Sequence, residues 1–264
     1  MRVVSLLLFA SCLMQAQTPF IGRATTAAVQ PSDQVFPHIA VGGGWRTTIV
    51  IVNIGTPATN FELRFYGQDG KPLPVTFSNP PLGEIITTTS VQGRLTPGAS
   101  FHYEIVDSGP LRTGWATLAY DSAQTRIGGY ATFRQTVTGR PDFEALVPLS
   151  ALDDYKFFMP FDNRPGVATA MAIANPDPTR SITVTLQFLD IDGKLIRTES
   201  LLLPPLGQTS FSIAERFTPL AGQVGTIYAQ GSLDRLSALG LRFNTGAGNA
   251  FSSIPIMNWS GMFQ

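Results

Sequence analysis

The chain repeats itself once, and no other feature of the sequence limits the fold as strongly. Residues 36–73 align with residues 158–196, at an offset that begins at 122. The clearest matches are Phe36 with Phe158, Gly44 with Gly166, Thr47 with Thr169, Ile51 with Ile173, Asn53 with Asn175, and Asp69-Gly70-Lys71 with Asp192-Gly193-Lys194. Weaker matches follow, such as Phe133 with Phe243 and Pro148 with Pro255. Such self-similarity predicts two units of one design.

The offset falls from 122 to 107 along the chain, so the first copy carries additional residues. We place them between Pro74 and Gly93, although the run Pro80-Pro81-Leu82-Gly83 also resembles Pro204-Pro205-Leu206-Gly207. The junction between the copies, residues 150–154, is too short for a flexible tether. The two units are therefore expected to touch.

Each copy is built from short stretches with the two-residue period of β-strands. The clearest are residues 60–66 and 181–189, whose alternate apolar residues are Phe61, Leu63 and Phe65 in the first and Val184, Leu186 and Phe188 in the second. This period predicts that those side chains face a core and that Glu62 and Thr185 face solvent. The Asp-Gly pairs that follow are typical of hairpin turns. About seven such strands per copy, without a long helical period, predict antiparallel β-sandwiches.

Composition excludes several classes of protein. Lys and Arg number 18, as do Asp and Glu, and only 14% of residues are charged. This balance excludes a nucleic-acid binder that works through bulk positive charge. A hydrophobic content of 44%, with 18 Phe, 6 Tyr and 3 Trp, excludes intrinsic disorder. The single cysteine, Cys12, excludes an internal disulfide and a cysteine-based zinc site.

The repeated motifs resemble those of exported bacterial proteins with tandem immunoglobulin-like β-sandwich domains, a group of unknown function. The resemblance rests on residues 49–53 with Gly55, residues 171–175 with Pro176, and the Asp-Gly turns. It implies an all-β fold of two similar antiparallel immunoglobulin-like sandwiches, at residues 35–149 and 155–257, before a tail at 258–264. The cysteine and tryptophan spacing of antibody domains is missing, so the resemblance concerns architecture alone.

The N-terminus has the pattern of a targeting segment. Arg2 precedes twelve uncharged, mostly apolar residues, 3–14, which are too few to span a membrane but suit a signal peptide. Cleavage after Ala16 would remove residues 1–16 and leave residues 17–34 as a spacer. Alternatively, the run Phe9-Ala10-Ser11-Cys12 resembles a lipobox, which would make Cys12 a lipid anchor. Either route predicts an exported chain, secreted, periplasmic or on the cell surface, whose mature form has no transmembrane segment.

Few residues are candidates for chemistry. His38 and His102 have no patterned carboxylate or serine partner, and Gly42, Gly43 and Gly44 lack the lysine and helix of a phosphate loop. Asp190 and Asp192 suit a hairpin turn better than a calcium loop, because the distal ligands are missing. The acidic residues flanking the junction, where a calcium site is a further alternative, are Asp153, Asp154 and Asp162. We assign no catalytic, cofactor or metal residue.

Two functions remain open at this stage. The first is a non-catalytic structural or adhesive module of the cell envelope or extracellular space, whose partner would be an envelope protein or a glycan. The alternative is a carbohydrate-binding protein, which requires several exposed aromatic residues on one face. The aromatic residues that decide between them are Trp45, Trp115, Trp259, Tyr66, Tyr103, Tyr120, Tyr130, Tyr155 and Tyr228.

Overall fold

The computed structural model describes residues 34–79, 84–121, 126–151, 155–233, 235–248 and 250–258. Strands make up 64% of these residues, and helix is almost absent. The predicted signal peptide, Cys12, Asp153, Asp154 and Trp259 lie outside the described residues. No helix in the described ranges is both long and apolar enough to cross a membrane.

The first half of the chain forms strands that belong to two antiparallel sheets. Their bounds are β1 (Gln34–Val41), β2 (Trp45–Asn53), β3 (Thr59–Gly67), β4 (Val75–Asn79), β5 (Glu84–Thr88), β6 (Ser90–Leu95), β7 (Ser100–Ile105), β8 (Arg112–Tyr120), β9 (Ile127–Gln135), β10 (Phe143–Pro148) and β11 (Ser150–Ala151). Sheet A has the order β11-β1-β8-β3-β6, and sheet B has the order β10-β9-β2-β7-β4-β5.

The second half forms two further antiparallel sheets. Its strands are β12 (Lys156–Asp162), β13 (Val167–Ala174), β14 (Ile182–Asp190), β15 (Leu195–Leu203), β16 (Gln208–Ser212), β17 (Val224–Gly231), β18 (Ser237–Asn244), β19 (Ala250–Ile254) and β20 (Met257–Asn258). Sheet C has the order β15-β14-β17-β12-β20, and sheet D has the order β16-β13-β18-β19. Helix α1 (Ile213–Arg216) and short 3₁₀ turns at Thr218–Leu220 and Thr245–Ala247 complete this half.

Strand order repeats along with the sequence. Sheet C, read from β20 to β15, has the same order of corresponding strands as sheet A, and sheet D corresponds to sheet B without its β4–β5 end. The additional residues of the first copy therefore form the β4–β5 hairpin, within the interval from Pro74 to Gly93 where we expected them.

The expected pair of immunoglobulin-like sandwiches, at residues 35–149 and 155–257, is wrong. The four small sheets are instead arranged as a four-bladed, propeller-like ring. Within each half the chain passes repeatedly between two blades: β1, β3 and β6 belong to sheet A, whereas β2, β4 and β5 belong to sheet B.

A shared hydrophobic core gives the physical reason for this correction. A self-contained sandwich would bury its apolar residues within its own half, but the core of the first half also contains Ala172, Leu239, Leu241 and Phe251 from sheet D. Strand β13 is buried on both faces, since Met171 and Ile173 pack in the second core while Ala172 packs in the first. Sheet D, which belongs to the second half, thus contributes side chains to the hydrophobic cores of both halves.

The predicted alternation in β3 and β14 is confirmed, with one exception. Phe65 and Phe188 are fully buried, and Thr185 on the opposite face of β14 is partly exposed. Glu62, however, is buried and ion-paired to Arg64 at 2.8 Å. Glu62 pairs with Ala119 of β8 and Gln92 of β6, so its side chain lies between those of its cross-strand neighbours and of Arg64.

Candidate functional site

The two halves meet at a polar and aromatic contact that we call the joint: His38, Trp115 and residues 68–70 of the first half against residues 205–208 of the second. The Trp115 indole Nε1 donates a 2.8 Å hydrogen bond to the carbonyl of Leu206, and the amide of Gln208 donates a 3.1 Å bond to the carbonyl of Gln68. Gly70, at φ 78°, faces Pro205 so closely that a Cβ would collide with its carbonyl oxygen. The joint is therefore built for direct backbone contact.

His38 lies at the centre of the joint. Strand β1 is irregular between Phe36 and Ile39, and the His38 side chain is buried. Its Nδ1 lies 2.9 Å from Gln208 Nε2, and its ring meets the edge of Phe133 at 5.3 Å. Burial lowers the pKa of His38 to about 4, because a charged imidazole would lose its hydration. At neutral pH the ring is therefore uncharged.

A cavity of about 180 Å³ opens beside His38, between the halves. Its lining is mostly apolar: His38, Ala40, Trp45, Leu111, Phe133, Ala170, Met171, Ala172, Ser210, Phe211, Leu239, Leu241 and Phe243. Among the described residues that line it none is a carboxylate, the kind of partner that orients a catalytic histidine. The cavity therefore suits packing or a small uncharged guest.

Two local features at the joint are uncommon. Leu206 stands at φ 55°, the only non-glycine residue in the described ranges with a positive φ. Gln208 is buried, and its Oε1 has no hydrogen-bond partner within the described part of the chain. Sequence reasoning missed both residues, although the run of two prolines before Leu206 was a signal for an unusual turn.

The polar residues that the two copies share support loops and strand starts. Asn53 Nδ2 donates to the carbonyls of Pro57 and Leu95, while its Oδ1 accepts from Gly55. Asn175 holds the loop after β13 in the same way. Thr47 and Thr169 each bind both backbone groups of a residue on the preceding strand. The hydrogen-bonding groups of these buried side chains are thus engaged with the backbone of the chain itself.

The other candidate residues have local, structural partners. Gly42, Gly43 and Gly44 all have positive φ and form the tight turn from β1 in sheet A to β2 in sheet B, with a single bridge between Gly42 and Trp45. His102 is exposed on β7, in sheet B, where its Nε2 lies 3.3 Å from Ser100 Oγ. The structure does not bring the two histidines together, because His38 is in sheet A.

The acidic candidates form turns and ion pairs. Asp190 Oδ1 accepts from the amides of Asp192 and Lys194, as expected of a hairpin turn with Gly193 at φ 79°. Asp162 is ion-paired with Arg164 at 2.9 Å, and hydrogen bonds from Arg164 lower the pKa of its carboxyl. Across the described residues, no three side chains of the His, Cys, Asp or Glu type converge as metal ligands.

The aromatic residues that the structure describes do not form an exposed group of three. Trp115 and Tyr103 are buried, and Trp45 packs against Phe251 at 5.0 Å between ring centroids. Tyr130 and Tyr155 are exposed, but they belong to opposite halves. One further pair was not singled out in the sequence: Phe158 and Tyr228 lie opposite each other on the outer face of sheet C, at 5.0 Å.

The chain matches no protein-family model, no curated protein and no solved structure. Its function must therefore be argued from the chemistry of its own residues.

Proposed function

We propose that this chain is a non-catalytic, exported module with a structural or adhesive role in the cell envelope or extracellular space. The observation that carries the proposal is the use of its polar residues. Asn53, Asn175, Thr47, Thr169 and the Asp-Gly turns bind the backbone of the chain itself. Side chains that could do chemistry are thus engaged in holding loops together.

The buried histidine supports the same proposal. A general base near neutral pH needs a pKa close to 7 and access to substrate, whereas burial lowers the pKa of His38 to about 4. Its Nδ1 is engaged by Gln208, a residue of the other half. His38 therefore serves the contact between the halves.

Cell fractionation and a binding assay test this proposal together. The chain should be recovered in the envelope or the medium, and the purified chain should bind isolated envelopes saturably without altering them. Recovery in the cytoplasm alone would overturn the export. Breakdown of an envelope polymer that is lost in His38→Gln, but kept in His102→Gln, would overturn the non-catalytic role.

Processing has two proposed routes that one labelling experiment separates. We favour cleavage after Ala16, which leaves a mature chain without cysteine. Fatty-acid labelling that disappears in Cys12→Ala would establish the lipid-anchored route instead. Absence of labelling, together with an N-terminus at Gln17, would support the first.

Carbohydrate binding is the second candidate function, and a single feature favours it. The Phe158 and Tyr228 rings lie side by side on sheet C, and the Tyr228 hydroxyl donates to Gln230 Oε1 at 3.1 Å. Paired aromatic faces with nearby polar groups suit a sugar ring. A glycan array should then show binding that Tyr228→Ala abolishes and Tyr130→Ala preserves. Equal binding by both variants would remove this candidate.

A further inference from the structure

The cavity beside His38 is left open by small residues at positions where the other copy has larger ones. Ala170 and Ala172 of β13 line the cavity. Because Thr47 corresponds to Thr169, the equivalent positions in β2 are those of Thr48 and Val50, which carry larger side chains. The space is therefore a property of this contact between the halves and not of the repeated fold.

Aromatic rings form much of the cavity wall. Trp45 and Phe243 both line it, and both pack against Phe251, at 5.0 and 5.6 Å between ring centroids. Phe133 lines it from sheet B and meets the ring of His38 edge to face. Aromatic groups pack well against the faces and edges of other rings. This wall therefore suits a flat aromatic guest.

The cavity is large enough for one small ring system. Its volume of about 180 Å³ exceeds the volume of about 150 Å³ at which an apolar cavity can hold benzene. Leu111, in the loop before β8, lines the cavity and is 52% exposed, whereas Ala172 and Leu239 on its inner wall are buried. A guest can thus enter past Leu111.

The lining favours an uncharged and mainly apolar guest. None of the described residues that line the cavity has a charge at neutral pH, since burial lowers the pKa of His38 to about 4. A charged guest would lose its hydration without gaining an ion-pair partner. Water would be held weakly, because a buried water needs about two to four polar partners and the hydroxyl of Ser210 already donates to Thr113.

His38 supplies a hydrogen-bond donor to such a guest. The side-chain amide of Gln208 donates to His38 Nδ1 at 2.9 Å, so the neutral ring carries its proton on Nε2. The His38 residue is only 7% exposed and lines the cavity, and its Nε2 has no hydrogen-bond partner within the described part of the chain. A buried donor without an acceptor costs free energy. An oxygen atom of a guest would remove that cost.

We propose that the cavity is a binding site for a small, uncharged aromatic molecule whose oxygen atom accepts a hydrogen bond from His38 Nε2. The ring of the guest packs among Trp45, Phe133 and Phe243. Residues of both halves line the site, so binding also stabilises the folded chain. This inference goes beyond the structural or adhesive role proposed above and does not depend on it.

Acetophenone is a suitable probe, because it is a flat, uncharged ring with a carbonyl acceptor. In an NMR titration of the isotope-labelled full chain, the indole N–H signal of Trp45 should move along a saturation curve. It should move further than that of Trp115, which does not line the cavity. Benzoate, which has a similar shape and a charge, should cause no saturable shift.

Ala170→Leu fills the cavity and should abolish the binding of acetophenone. Ala119→Leu is the matched control, since Ala119 is a partly exposed alanine on β8 that does not line the cavity, and this variant should bind like wild type. Unfolding curves of both variants establish that they are folded under the conditions of the titration.

His38→Phe tests the hydrogen bond, because it keeps a ring and removes the donor. The comparison probe is α-methylstyrene, in which a CH₂ group replaces the carbonyl oxygen of acetophenone. The affinity for acetophenone relative to α-methylstyrene should fall roughly 3–10-fold from wild type to His38→Phe. Taking this ratio cancels any general effect of the substitution on the cavity.

The proposal fails if the Trp45 signal shows no saturable shift, if Ala170→Leu binds acetophenone as wild type does, or if benzoate binds equally well. An unchanged affinity ratio in a folded His38→Phe variant would refute the hydrogen bond and with it the proposed class of guest. If that variant does not fold, the Ala170→Leu and benzoate results still decide. Binding to envelopes is measured separately, so failure here leaves the structural or adhesive role standing.

Discussion

The indole Nε1 of Trp115 lies 2.8 Å from the carbonyl oxygen of Leu206, and this bond ties a fully buried ring of the first half to a left-handed residue of the second. A residue with a Cβ at positive φ costs roughly 1–2 kcal/mol. Trp115, with Tyr66, also packs in a small apolar cluster that includes Leu206. The strained turn is therefore held by contacts from the opposite half.

Replacing Trp115 by Phe should lower the free energy of unfolding by about 2–3 kcal/mol, because it leaves a carbonyl unpaired and a space beside it. Urea unfolding measures the loss. Trp45→Phe is the matched control and should cost about 1 kcal/mol or less, since a ring is kept against Phe251. Equal losses in the two variants would show that the indole bond contributes nothing.

Gly70→Ala and Gly193→Ala form a matched pair, since both glycines stand near φ 78° in corresponding turns. Each substitution should cost roughly 1–2 kcal/mol from backbone strain. Gly70→Ala should cost clearly more, because its Cβ would also meet the carbonyl of Pro205. Thermal unfolding compares them, and equal costs would contradict the close approach at the joint.

Acid should destabilise the chain through His38 before it acts on the carboxylates. The folded pKa of about 4 lies below the ordinary histidine pKa of 6.5, so the unfolded state binds the proton more readily. Stability should therefore fall as pH drops from about 6.5 to about 4, by up to about 3 kcal/mol. His38→Gln should flatten this part of the curve, and His102→Gln should not. A slope unchanged in His38→Gln would refute the assignment.

Phe188→Ala should cost about 3–5 kcal/mol, because the ring is fully buried. Thr185→Ala, on the other face of the same strand, should cost about 0.5 kcal/mol or less. Glu62→Ala should cost about 1 kcal/mol, more than the outward position first suggested, because Glu62 is buried beside Arg64. Urea unfolding of the three variants ranks them, and a Thr185 effect as large as that of Phe188 would contradict the alternation.

Local patterns in the sequence predicted local structure well. The two-residue period in residues 60–66 and 181–189 identified buried rings, and Asp192-Gly193 forms the expected hairpin between β14 and β15. The hairpin expected at Asp69-Gly70 is wrong in part, because the turn leads from β3 in sheet A to β4 in sheet B. Strand alternation and turn conformation depend on residues that are neighbours in the chain, so a few adjacent residues are enough to predict them. Glu62 failed this reasoning, because its burial depends on strands that lie far away in sequence.

Contacts between the halves could not be predicted in this way. Strand β13 reads VATAMAIA, and its small residues do not show that both faces are buried. The weak match of Phe133 with Phe243 was also misplaced by one residue, since Thr47 pairs with Phe133 whereas its counterpart Thr169 pairs with Arg242. A slip of one residue moves a side chain to the other face. The alignment that revealed the repeat therefore could not indicate which residues form the joint.

The shared core imposes an order on biosynthesis. Residues 34–151 leave the ribosome before Ala172, Leu239, Leu241 and Phe251, which complete their packing, have been made. Such long-range contacts slow folding, and a nascent chain with an open apolar side is prone to aggregate. The first half is thus a dependent partner of the second, and a fragment that stops at residue 151 should need a chaperone to stay in solution.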